Sequence, residues 1–368
     1  MIKVVHFLPS INVTSGIAQM IMNYYRVIDT TQIQFDFIYF IPKSKVNFEK
    51  EIINLGGKIT FVSDPLKYFK FYKEMCKCLS EYDSDKIIFH NHQITFTVLL
   101  QPILKKYGVR DIIVHNHMTK YSDKLLSSIR NRILCYPIRF LNVKYFACSK
   151  EAGEFIFGKE KMKNGLVTIM NNGIDCEKYL FDYDKRKNIR EILGLENKFV
   201  IGHVGHFNKV KNHRLIIDCF EKIYLKNTKA RLLLIGTGPL RKNVEVWIKE
   251  KNLNENVIIL ENRDDIPQLM WGMDVFIFPS LFEGLGIAAI EAQATGLPVF
   301  MSDRIPESVN VYNCKVISLE SSSDIWAKEI NKTNINIENR KKGYFKVKNS
   351  EYNILIQEKK YLEYLKKL

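Results

Sequence analysis

"DVFIFPSLFEGLGIAAIEAQATGLPVFMSD", Asp274–Asp303, reads as a strand, a turn, a helix and a second strand in one short run. "DVFIFPS" is an apolar run of strand length, and "LFEGLG" supplies the turn. "IAAIEAQAT" is helical and is closed by Gly296 and Pro298 before "LPVFMSD" begins. Apolar strands linked through helices pair in parallel and are covered on both faces. The same alternation fills the chain. "KVVHFLP", "FDFIYFI", "KITFVS", "KIIFHNH", "DIIVHNH" and "KYFACS" are strands of a first series, which ends in "LVTIMNNGIDCEKY". "KFVIGHVGHF", "ARLLLIGTG", "NVIILEN" and the two strands of the opening stretch make a second. The two series join near residue 175. They predict an α/β chain of two doubly wound, Rossmann-like parallel-sheet domains facing a cleft, with ligands beyond the carboxyl ends of the strands. The expected boundaries are 1–175, 176–335 and a helical tail over 336–368.

Length agrees with two domains, and composition sets limits. The 368 residues are 46% hydrophobic, ample for packed cores. The formal charge of +15 favours an acidic partner without choosing among nucleic acid, anionic lipid and phosphorylated substrate. Seven scattered cysteines, with no paired CxxC spacing, point to reduced thiols in the cytoplasm rather than a disulfide framework or zinc site. "MIKVVHFLPS" is a first strand and too short for a signal peptide. No window holds the roughly 18 apolar residues a spanning helix needs.

Two glutamates interrupt the opening stretch, Glu283 and Glu291. Eight helical steps of about 100° would leave them roughly 80° apart, so a stripe of paired carboxylates is not the explanation. Glu283 falls in the loop and Glu291 about two turns into the helix. Between them, the backbone of Gly284, Leu285, Gly286 and Ile287 opens the helix and is expected to bind an anion. A diphosphate there would have a carboxylate on either side to accept from sugar hydroxyls. Taken alone, the pair reads better as a loop glutamate beside a solvent-facing helical one.

The surroundings add to this. "PSLFEGLGIAAIEAQATGLPV" resembles the E-x7-E region of family 4 glycosyltransferases, which have the GT-B fold. "TSGIAQMIMNYYRVID", "CSKEAGEFIFG", "NNGID", "GHVGHFNKVKNHRLIIDCF", "LLLIGTGPL" and "NRDDIPQLMWGMDVFIFPS" resemble further segments of that family, in its order. The likeness covers nearly the whole chain, is weakest from about Glu320, and is greatest to enzymes that build capsular and exopolysaccharides. It implies an acceptor-binding N-terminal domain, a nucleotide-sugar-binding C-terminal domain and a tail that packs back on the first. By position, Lys211 matches the lysine on the donor diphosphate, and Glu283 and His117 the other catalytic-site residues. Gly16 matches the loop that lets backbone approach the phosphates, with Ser15 where a second glycine is common. The backbone around Asn262 and Arg263 is where the family holds the nucleobase, and Glu291 would reach the ribose. His206 stands where an arginine is usual, so one fixed cation is missing or pH-dependent; Lys209 is the candidate substitute.

Four histidines pair as "HNH", His90–His92 and His115–His117, each at a predicted strand end. Residues i and i+2 share a strand face, a spacing that suits metal ligands. No cysteine or carboxylate cluster completes a site, however, and the resembling enzymes are not metal enzymes at this point. His117 fits the family's catalytic-site histidine best, with His115 second; His90 and His92 are expected to face the acceptor. Three patterns are set aside. "GTGPLR" lacks the third glycine of a dinucleotide fingerprint. "DSD" at 83–85 lies in a charged loop, and "CKC" at 76–78 sits on an amphipathic helix.

The expectation is therefore a retaining, metal-independent hexosyltransferase without cofactor, using a nucleotide diphosphate sugar, UDP-linked, and a lipid-linked saccharide acceptor. Rivals are a UDP-sugar epimerase of the same architecture and a nucleic-acid-binding protein. The latter is disfavoured because the basic residues are dispersed with no recognition motif. "YSDKLLSSIRNRILCYPIRFLNVK", 121–144, interleaves five Lys/Arg with apolar residues. With the basic tail it suggests an anionic membrane surface, on the inner face of the cytoplasmic membrane.

Overall fold

The computed structural model describes residues 1–122, 125–261 and 263–368. The chain forms two compact units, one of Met1–Ile174 with Ile354–Leu368, the other Asp175–Asn353.

Unit 1 is built on seven strands: β1 Ile2–Leu8, β2 Ile33–Tyr39, β3 Ile59–Phe61, β4 Ile87–Asn91, β5 Asp111–Asn116, β6 Lys144–Ala147 and β7 Val167–Ile169. They run in the order β3-β2-β1-β4-β5-β6-β7, every ladder parallel. The central strands are buried along their length, which is why they read as unbroken apolar runs. Helix Gly16–Tyr25 follows β1, and the Ser15 hydroxyl accepts from the Ala18 amide at its start. A serine thus stands at this loop because it caps the helix.

The chain comes back to this unit at Ile354, whose amide donates to the Ile174 carbonyl at 3.0 Å. Helix Ile354–Leu365 buries Ile354, Tyr361 and Leu365 in the same core as Tyr24, Phe35 and Phe146. A Cβ at Gly173 would lie 2.8 Å from the Ile354 Cα, so the crossing accepts only glycine.

Unit 2 has six strands: β8 Phe199–Val204, β9 Ala230–Ile235, β10 Val257–Leu260, β11 Val275–Phe278, β12 Val299–Ser302 and β13 Cys314–Ile317. The order is β10-β9-β8-β11-β12-β13, again all parallel. The edge strand β13 was not among the expected strands, for only Ile317 within it is fully buried. The unit also extends past the expected boundary at 335. Arg340 is buried and donates to the carbonyls of Met270, Trp271, Met273 and Thr295. Beside it, buried Asp274 pairs with Arg186 at 2.6 Å and Arg190 at 3.3 Å. Helix Lys341–Lys348 then lies close against Ile287–Ala294, where a Cβ on Gly343 would fall 2.2 Å from the Gln293 carbonyl oxygen. Of the expected tail 336–368, only Ile354–Leu368 packs in unit 1.

Candidate active site

Of the donor-side residues expected from the sequence, His206, Lys209 and Lys211 follow β8 and Glu283, Gly284, Leu285 and Gly286 follow β11, whereas Arg263 follows β10 and Gly16 lies in unit 1. After β8 the chain makes a short turn, Lys209–Lys211, in which the Asn208 side chain accepts from the Lys211 amide. The Leu281 amide donates to the Val210 carbonyl at 2.8 Å and so ties this turn to the loop after β11. That tie brings Lys211 Nζ to 2.5 Å from Glu283 Oε1 and 4.6 Å from the centre of the Phe278 ring. The two side chains are only 16% and 14% exposed. An ion pair this sheltered is strongly coupled, and losing one partner strands the other. The sequence reading treated the two residues separately. Their pairing across the fold was not visible in it.

The glycines of "GTGP" have a structural use. At Gly236 (φ +145°) a Cβ would lie 2.1 Å from the Gly205 carbonyl oxygen, and at Gly238 (φ +155°) 2.5 Å from that of Phe207. They let the loop after β9 press on the loop that carries His206 and Lys211. His206 itself is exposed, and its pKa is lowered by desolvation and then by the Lys211 cation. It is therefore neutral at pH 7 and does not replace the expected arginine as a fixed charge. Lys209 is exposed on the same turn.

Helix Ile287–Ala294 starts behind Gly286, which is left-handed (φ +94°), with Leu285 buried beneath and Gly284 half-buried. Glu291 lies on it half-buried, and its Oε1 accepts from the Tyr179 hydroxyl at 2.8 Å. Burial pushes its pKa up to about 7, against the lowering effect of that hydrogen bond. Tyr179 was missed as a site residue, although "NNGIDCEKY" contains it. Arg263 is exposed and turned onto Asp265, its Nε donating to Oδ1 at 2.7 Å. Asn262 lies outside the described residues.

In unit 1, Gly16 starts its helix with open space where a Cβ would stand. The histidines form a ladder across β1, β4 and β5. His6, His90 and His115 lie on these strands and His92 and His117 just beyond, so the set includes His6, which the sequence reading passed over. His6 Nδ1 meets His92 Nε2 at 2.9 Å, and His92 Nδ1 meets His117 Nε2 at 3.0 Å. His90 Nε2 meets His115 Nδ1 at 3.2 Å, and His90 Nδ1 meets the Tyr361 hydroxyl at 2.9 Å. His90, His92 and His115 are 0%, 3% and 0% exposed, and only His117 is half-buried. The expectation that His90 and His92 face an acceptor is corrected: neighbouring imidazoles and Tyr361 cover them.

The other patterns set aside resolve plainly. Asp83 pairs with Lys86 and Asp85 with Arg110 at the surface, while Cys78 is buried and Cys76 half-buried.

Comparison with known proteins adds to this geometry. The family described as Glycosyl transferases group 1 matches residues 185–342. A Bacillus subtilis (strain 168) protein named as a glycosyltransferase, EpsF, is 31% identical over 340 residues, covering 89% of this chain and 86% of that protein. The N-acetylgalactosamine-N,N'-diacetylbacillosaminyl-diphospho-undecaprenol 4-alpha-N-acetylgalactosaminyltransferase of Campylobacter jejuni is 31% identical over 273 residues, covering 72% and 69% of the two chains. Among solved structures, Anabaena Alr3699/HepE in complex with UDP and glucose superposes with a TM-score of 0.81 at 18% identity, covering 100% of both chains.

Proposed function

The chain belongs to the group 1 glycosyl transferases and has the GT-B fold, and from that premise we propose that it is a retaining hexosyltransferase of family 4. Its donor is a UDP-linked sugar and its acceptor a lipid-linked saccharide in capsule or exopolysaccharide assembly. The observation that carries the reading is the Lys211–Glu283 pair set beside the helix that bears Glu291. One cation and the first turn of that helix face developing negative charge on a leaving diphosphate, with a carboxylate for sugar hydroxyls on each side. The acceptor hydroxyl attacks the anomeric carbon from the face the diphosphate leaves. The carbon–phosphate-oxygen bond breaks, and the departing diphosphate oxygen takes the hydroxyl proton. The protein's part is to position both substrates and hold the leaving charge, with no step assigned to a metal. Unit 2 binds the donor and unit 1 the acceptor.

The acceptor's lipid places the enzyme at a membrane. Among the described residues, no helix is long and apolar enough to cross one. Helix Leu125–Cys135 and the turn Tyr136–Phe140 instead hold Leu125, Leu126, Ile129, Ile133, Tyr136 and Phe140 exposed. Arg130 and Arg132 are exposed among them. An outward apolar ridge flanked by arginines suits the surface of an anionic leaflet. The test is a panel of nucleotide sugars incubated with lipid-linked saccharide in anionic vesicles. UDP release should need the acceptor, and the protein should sediment with the vesicles at low salt and leave them at high salt. Sugar conversion without acceptor would make the protein an epimerase instead. A protein that stays in solution at low salt would remove the membrane assignment.

Glu291 supplies a prediction with a definite sign. A carboxylate accepts from ribose hydroxyls and its protonated form does so poorly, so the ionised form is the binding form. With a pKa of about 7, UDP affinity should rise roughly 10-fold from pH 6 to pH 8. Tyr179 stays neutral across that window and does not mask the change. Glu291→Gln should bind UDP more weakly at pH 8 and lose this extra dependence. UDP titrates too, so the difference between the two proteins is what counts. Parallel pH profiles would remove Glu291 from the ribose.

A further inference from the structure

Three imidazoles at the end of the unit 1 sheet have a geometry that sugar transfer does not require. One nitrogen each of His92, His115 and His117 lies within 4.8 Å of the others. We propose that these three residues form a binding site for a borderline divalent cation of the zinc class.

The ring nitrogens divide cleanly. His92 Nδ1 and His117 Nε2 face each other at 3.0 Å, a little closer than the roughly 3.3 Å between two nitrogens on a tetrahedral zinc. His115 Nε2 is buried with no hydrogen-bond partner among the described residues. The outward nitrogens of the two buried rings are both held. His92 Nε2 lies 2.9 Å from His6 Nδ1. His115 Nδ1 lies 3.2 Å from His90 Nε2, and His90 Nδ1 lies 2.9 Å from the Tyr361 hydroxyl. In the tautomers that put the protons of these contacts on His92 Nε2 and His115 Nδ1, the lone pairs are left on His92 Nδ1 and His115 Nε2, and His117 joins them by carrying its proton on Nδ1. Metal-bound histidines are oriented in this way, the second nitrogen fixed by an outer partner.

Three imidazole nitrogens without a carboxylate favour zinc, nickel or copper over magnesium or calcium. His6, His90 and His92 also cluster, but both nitrogens of His90 are held by groups outside that set, His115 and Tyr361, so that set is one ligand short. Half-buried His117 gives the entry path and leaves a fourth coordination position open. Occupancy would use the His117 lone pair, so a bound cation competes with any role of that ring toward sugar.

The test is zinc and cobalt titration of the chelator-treated full chain, with no substrate present, so that its outcome is independent of the transferase reading. One zinc per chain is expected by calorimetry, and bound cobalt should show the strong visible absorption of a tetrahedral site. His117→Gln should weaken zinc binding at least about 100-fold, while His206→Gln in unit 2 leaves it unchanged. Hydrogen exchange of the unmodified chain guards against a variant that does not fold. Zinc must raise protection at segments 88–92 and 113–117. Absence of stoichiometric binding, unchanged affinity in His117→Gln, or protection confined to other segments would overturn the site.

Discussion

Lys211→Ala is expected to lower kcat about 10²–10³-fold, the usual cost of removing one donor aimed at charge that develops in the transition state. Its ammonium sits 2.5 Å from Glu283, sheltered over the Phe278 ring, where water screens it poorly. The substitution also leaves Glu283 without its cation in a mostly buried place, so some loss of stability must be separated from loss of catalysis. A thermal melt of each variant and the double variant Lys211→Ala/Glu283→Gln do this. If Lys211 acts on the leaving diphosphate, the double variant recovers stability and stays slow. If Lys211 only holds Glu283 in place, Glu283→Gln alone reproduces the whole defect. Turnover near wild type in folded Lys211→Ala would remove the assignment and leave Lys209 as the cation to test.

How far that site could be read beforehand follows from which contacts are local. The expected strands lie within about three residues of the observed ones, because strands such as β2 and β4 are buried on both faces and show as solid apolar runs. β13 was not, since its middle residues are exposed and carry no such run. Glu283, Glu291 and Lys211 were found through ordered motifs, yet the lysine's pairing depends on the Leu281–Val210 tie between two loops. Local sequence does not encode that tie. The extension of unit 2 was hidden for a related reason: Arg340 is anchored by backbone carbonyls, and carbonyls leave no trace in residue identity. For the histidines, the i, i+2 spacing gave the shared face correctly. Their burial depends on His6 in register with His90 and on Tyr361 from the returning helix. Composition alone could not place either one there.

That ladder carries the second large effect: mild acid should unfold unit 1. The pKa of His6 and of His117 is lowered to about 3, and those of His90, His92 and His115 fall well below the usual value, chiefly by burial. For a histidine with a depressed folded pKa, the stabilisation is complete above the unfolded value near 6.5. It is lost as pH falls toward the folded value, because only the unfolded chain takes up the proton. From pH 7 to pH 5 each such ring forfeits about 2 kcal/mol, and five rings together approach the roughly 5–15 kcal/mol stability of a whole domain. The acids with lowered pKa values, such as Glu81, titrate below this window. Glu291 works in the opposite direction, gaining stability as pH falls through about 7, but it is a single group and lies in unit 2. Peptide-resolved hydrogen exchange with chelator present, corrected for the intrinsic pH dependence of exchange, should therefore show β1, β4 and β5 losing protection by pH 5. Equal protection of these strands at pH 7 and pH 5 would mean that the rings already carry protons in the folded state, and that the hydrogen bonds between them are not those of neutral imidazoles.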